Sequence, residues 1–180
     1  MANPRAEVEI AQLVAEHHQA VYRYAFRLTG AACDADDLAQ QVFLAAQQKL
    51  GQLRSPEAAR CWLFTMLRNL FLKSRRRRRM LSPEDLEAGL EGIPAQIPDD
   101  DGIDREKLQQ ALNDLSPEAR LAVVMYYFEE CSYREIAQQL EVPIGTVMSR
   151  LSRAKAHLRA RLIEPAPADA SQPPQTVKLG

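Results

Sequence analysis

Two small helical domains, all-α throughout and joined by a flexible acidic linker, follow from three properties of this chain. Glycine is scarce, at 7 of 180 residues. Apolar residues recur at helical spacing in several separate stretches, and charge is partitioned sharply along the sequence. The net charge of −1 conceals that partition. Residues 1–79 carry 13 Lys or Arg against 7 Asp or Glu, residues 80–106 carry 1 against 9, and residues 107–164 carry 8 against 7. Two basic or neutral lobes therefore flank an acidic connector, and a polyanion suits the lobes better than the overall charge implies. The expected organisation is a first helical domain over 8–79, a linker over 80–104, a second domain over 105–162 and a disordered tail over 163–180.

The first helix is expected from Val8 to Leu28, with Ile10, Leu13, Val14, Val21, Ala25 and Leu28 on one stripe and Gly30 as its stop. His17 and His18 lie on or beside that stripe with no ligands at i+3 or i+4, so they read as packing or edge residues rather than metal ligands. Asp34 is placed to cap a second helix through Leu50, with Leu38, Val42, Ala45 and Ala46 inward. Ser55-Pro56-Glu57 opens a third, running to Arg79. Its inward stripe is Leu63, Met66, Leu67 and Leu70, while Arg60, Arg68, Asn69, Lys73 and the run Arg75 to Arg79 concentrate cations toward its end. Five consecutive arginines encircle a helix and repel one another, which favours a nucleic-acid partner over simple solvation. Trp62 and Phe64, interleaved with these bases, could stack on unpaired bases, although each alone is the kind of residue a core takes.

Beyond the acidic stretch, in which Ser82-Pro83-Glu84-Asp85 could start one short helix, regular helix is expected again over 105–115. Ser116-Pro117-Glu118 opens another through Glu129, with Leu121, Val124, Met125 and Phe128 inward. Residues 132–158 then have the layout of a helix-turn-helix. Ser132 and Glu135 form a capping box, and Ile136, Leu140, Val147 and Leu151 keep helical spacing on both sides of Glu141-Val142-Pro143. The outward positions of the second helix are Thr146, Ser149, Arg150, Ser152, Arg153 and Lys155. Hydroxyl and guanidinium groups in that arrangement suit phosphate oxygens and base edges of a major groove.

Cys33, Cys61 and Cys131 are far apart with no metal-ligand spacing, so neither a zinc site nor a disulfide framework is expected. No nucleophile-base set and no phosphate-binding glycine loop appears, so no catalytic residue, cofactor or small-molecule substrate is expected. Without a leader or an apolar run of membrane-spanning length, a cytoplasmic chain with no membrane insertion is the expectation.

These motifs, in this order, resemble the extracytoplasmic-function group of the sigma-70 family of bacterial RNA polymerase sigma factors. D-A-D-D-L-A-Q-Q-V-F at 34–43 is similar to the family's signature for docking on the polymerase clamp helices, which implies Asp34, Asp37, Leu38, Gln40 and Phe43 as the core-binding set. R-C-W-L-F-T-M-L-R-N-L at 60–70 and the bases after it resemble the helix that melts the promoter and reads its minus-ten element. The resemblance gives Arg60, Trp62, Arg68, Asn69, Lys73, Arg75, Arg76 and Arg77 that role, with a base pocket near 51–55. L-S-P-E-A-R at 115–120 and S-Y-R-E-I-A with G-T-V-x-S-R-L-x-R-A-K resemble the minus-thirty-five reader. The implied partners are core RNA polymerase at its clamp helices and flap, promoter DNA, and an anti-sigma factor. Four positions depart from the pattern: Gln41 for glutamate, Gln47 for tryptophan, Glu141 for glycine and Met148 for a lysine or arginine. A stand-alone helix-turn-helix regulator would use the second domain without needing the docking signature, and a pure interaction adaptor would need no promoter.

Overall fold

The structure is a computed structural model that describes residues 10–53, 55–81 and 105–163, the side chains of 78–81 excepted. The short helix expected at Ser82, nearly all of the expected linker and tail, Arg54 of the 51–55 loop and the side chains of Arg78 and Arg79 lie outside the described residues.

In the first lobe, helix α1 (Ile10–Thr29) lies along α2 (Ala32–Lys49), and α3 (Ala59–Leu81) packs on both. Gly30 ends α1 in the left-handed region, φ 78°, where its N–H donates to the Phe26 carbonyl at 2.8 Å. Because α2 restarts almost at once, its N-cap is Ala31, which offers no capping side chain. Asp34 therefore sits in the first turn rather than at the cap, where its charge faces the helix's positive end. Ser55 likewise makes no cap bond; a short 3-10 turn at Pro56–Ala58 precedes α3. The core is Val21, Tyr24, Ala25 and Leu28 from α1, Leu38, Val42, Phe43 and Ala46 from α2, and Leu63, Phe64, Leu67 and Phe71 from α3. Each large apolar side chain so buried contributes about 1.5–3 kcal/mol.

The second lobe is built on α7 (Ile144–Ile163), against which α4 (Arg105–Asn113), α5 (Pro117–Phe128) and α6 (Tyr133–Leu140) all pack. Leu112, Leu121, Val124, Met125, Ile136, Val147, Leu151 and Ala154 fill its centre. Phe128, expected inward, is 42% exposed, and the Arg27 guanidinium of the first lobe lies 5.6 Å from its ring centre.

That contact belongs to a seam between the lobes, where α1 packs on α4 and α5 and the buried apolar cluster runs through both. Arg120 of α5 is buried there and donates to the Leu28 carbonyl at the end of α1 (2.7 Å) and to the Asn113 carbonyl (2.8 Å). Burial above all, with the like charge of Arg75 adding to it and Asp114 opposing, pushes its guanidinium down to about 10. Gly30 abuts Asn113 so closely that a β-carbon there would stand 2.3 Å from the Asn113 Oδ1.

Candidate nucleic-acid interface

The helix-turn-helix is held by local chemistry. Ser132 Oγ accepts the Glu135 N–H at 3.3 Å while the Glu135 carboxylate takes the Ser132 N–H at 2.8 Å, the reciprocal pair that the sequence implies. These hydrogen bonds hold the Glu135 carboxyl below its ordinary value. The turn is made by Glu141 at φ 53°, after which the Val142 N–H closes on the Ala137 carbonyl at 3.0 Å. A left-handed non-glycine residue costs about 1 kcal/mol. Pro143 then stands just before α7, its carbonyl accepting from Thr146 N–H at 2.9 Å.

On α7, Ser149, Ser152 and Arg153 are exposed, Thr146 and Arg150 are half-buried, and Lys155 lies over the Tyr126 ring at 4.7 Å and near Tyr127 at 5.7 Å. The residues expected to read DNA are thus split between an open face and a packed flank. Arg150 and Arg153 line a cleft with His157 and the start of α5 at Ser116 and Ala119. Asp114 and Glu118 share that lining, so the cleft is mixed in charge and the two guanidinium groups are balanced by two carboxylates. Met148 and Ile144, 52% and 47% exposed, add an apolar strip where the sequence pattern would have a cation at 148.

On α3, Arg60, Asn69, Lys73, Arg76 and Arg77 are exposed. Arg60 lies 5.3 Å from the ring centre of Phe64, which is core, while Trp62 is half-buried against it. Two of the expected DNA contacts are placed otherwise. Arg75 is half-buried and its charge presses on Arg120. Arg68 is 4% exposed: it pairs with Glu129, bonds to Gln139 Oε1, both of the second lobe, and donates to Thr65 Oγ1 at 2.9 Å. The Tyr24 hydroxyl donates to the other Glu129 oxygen. In this arrangement Arg68 is turned away from any ligand in solution.

The docking signature of α2 divides in the same way. Asp37 and Gln40 are exposed and Asp34 half-buried, whereas Leu38 and Phe43 belong to the core and hold the helix rather than presenting a surface. Leu44, 60% exposed, lies outside the set that the motif implies yet on the same face of α2. Its signal was periodicity, because 37, 40, 41, 44 and 48 share one face of a helix.

Among the described residues no group of His, Cys, Asp or Glu could hold a metal ion, and no helix is long and apolar enough to cross a membrane. An open helix-turn-helix in one chain with a second helical lobe bearing a cationic helix defines a two-lobed, DNA-directed protein. The family model "Sigma-70 region 2" matches residues 13–80 and "Sigma-70, region 4" matches residues 105–158. The chain belongs to the sigma-70 family, in its extracytoplasmic-function (ECF) branch. It is similar to the ECF RNA polymerase sigma factor SigE of Mycolicibacterium smegmatis, 39% identical over 82% of this chain and 59% of that one. It is also similar to SigL of Mycobacterium tuberculosis, 36% identical over 88% of this chain and 92% of that one. Among solved structures, the sigma factor RpoE in complex with the anti-sigma factor NepR from Bartonella quintana aligns with a TM-score of 0.69 at 28% identity, covering 85% of this chain and 96% of that one.

Proposed function

We propose that this protein confers promoter recognition on core RNA polymerase and helps open the duplex, acting in the cytoplasm without catalysing a covalent step. The observation that carries the reading is the co-occurrence, in one chain, of the exposed Asp37-Gln40-Leu44 face on α2 and the exposed Ser149-Ser152-Arg153 face on α7. A stand-alone regulator accounts only for the second. In this reading residues 8–79 dock on the clamp helices and capture the melted minus-ten strand through α3, and residues 105–162 place α7 in the major groove of the minus-thirty-five element. Arg150 holds a backbone phosphate, and Ser149, Ser152 and Arg153 read base edges. The acidic segment 80–104 tethers the two and follows the polymerase's basic channel, and the region 4 lobe touches the flap. An anti-sigma factor, the partner named for the Bartonella relative, restrains the protein.

Run-off transcription with purified core enzyme on a promoter library tests this. Promoter-dependent transcripts that appear only with the protein, and vanish for Asp37→Ala with helical content intact, are expected. Absence of core binding by the native chain would sink the reading.

A further inference from the structure

The carboxylate of Glu129 is the hub of the seam. It closes the second lobe's α5 onto α3 through Arg68 and onto α1 through Tyr24, while Gln139 of α6 takes the other side of the same guanidinium. Side chains of Arg68 and Glu129 are 5% and 8% exposed, so the pair is a buried one. A buried pair of this kind holds its geometry tightly, because loss of either partner leaves an uncompensated charge.

This closed form cannot grip a promoter at both ends. Elements named for positions ten and thirty-five are about 25 base pairs apart, roughly 85 Å along B-DNA at ~3.4 Å per pair. Yet α3, the helix assigned to one, touches α6, the neighbour of the helix assigned to the other, through the bond from Arg68 to Gln139. Between α3 and α4 lie 23 residues, 82–104. A chain of that length can span up to about 80 Å, and α3 and α7, each on the order of 30 Å long, add reach within the lobes, so the lobes can part to promoter spacing.

We infer that Glu129 is an internal latch: its carboxylate occupies an anion site formed by Arg68 and Tyr24, holding the free protein closed and keeping Arg68 from promoter phosphate until the lobes part. The inference rests on the proposed function for what the open form does, and on the seam alone for what the closed form is. Two native cysteines flank the latch. Cys61 lies one turn before Thr65 on α3, and Cys131 lies two residues beyond Glu129. Thr65 Oγ1 accepts from Arg68 and donates to the Cys61 carbonyl at 2.9 Å, so Cys61 lies beside the pair on the α3 side and Cys131 on the α5 side.

The test uses the full chain with Cys33→Ser, so that Cys61 and Cys131 are the remaining thiols, treated at low concentration with a short bis-maleimide. Intramolecular Cys61 to Cys131 linkage is expected. Glu129→Lys, or Arg68→Glu from the other side, should cut its yield by at least about fivefold, and the charge swap carrying both changes should restore it, all with unchanged helical circular dichroism. The Glu129→Lys chain should also bind a mixed-sequence duplex several-fold more tightly. Linkage absent in the parent, undiminished in both single variants, or unrestored in the folded swap would overturn the latch. A pull-down on core polymerase separates the two failures, since a native chain that cross-links yet never binds polymerase keeps the latch and loses the sigma assignment.

Discussion

Tyr24 joins the buried pair through its hydroxyl, and burial, followed by the Glu129 carboxylate, holds that hydroxyl well above the usual tyrosine value. A group raised on folding contributes stability that is intact below its ordinary pKa of about 10 and is lost as pH climbs through the raised value. The urea midpoint should therefore fall as pH rises beyond about 10. Tyr24→Phe should start lower, having lost the hydrogen bond to Glu129, and decline less steeply over the same range. Gly30 is constrained twice, by its left-handed backbone and by Asn113. Gly30→Ala should cost at least about 1 kcal/mol from the backbone alone, seen as a fall in Tm of roughly 2–4 °C or more.

Helix starts and stops were legible because they are local chemistry. Ser132 with Glu135, Ser116 before Pro117, and Gly30 after α1 each announce themselves within four residues, and all three behave in the structure as their spacing implies. Asp34 was misplaced by three positions because a nearer start at Ala31 leaves no room for it as a cap. The turn of the helix-turn-helix is strained by a side chain where the family pattern has glycine. Glu141→Gly should stabilise the protein by about 0.5–1 kcal/mol in thermal unfolding. On α2 the motif was legible but not the division of labour within it, since a signature does not say which of its residues face inward. Phe43→Ala should cost about 3–5 kcal/mol of stability. Leu44→Asp, by contrast, should leave the unfolding midpoint nearly unchanged while weakening polymerase binding by at least about tenfold.

How the lobes meet was not legible. Tyr24 and Glu129 are 105 residues apart, Leu28 and Arg120 are 92 apart, and Arg68 and Glu129 are 61 apart. No periodicity or cap links such positions. Arg68 in particular reads as one more cation on a basic helix until its distant partner is in place. A closed form that hides Arg68 and half-hides Arg75 also engages fewer phosphates than an open one. The slope of log affinity against log salt for a mixed-sequence duplex should accordingly be steeper for Glu129→Gln, which adds no cation of its own, than for the parent, by about 1–2. Equal slopes would mean that closure leaves the cationic surface unchanged.

Those sequence separations also have a meaning in time. The ribosome completes α3 before it has made α5, and at roughly 5–20 residues per second the 61 residues from Arg68 to Glu129 take on the order of 3 to 12 seconds. During every round of synthesis, then, the first lobe stands for some seconds with its guanidinium bare and its tyrosine uncovered, and the nascent chain is at its most receptive to nucleic acid before it is finished.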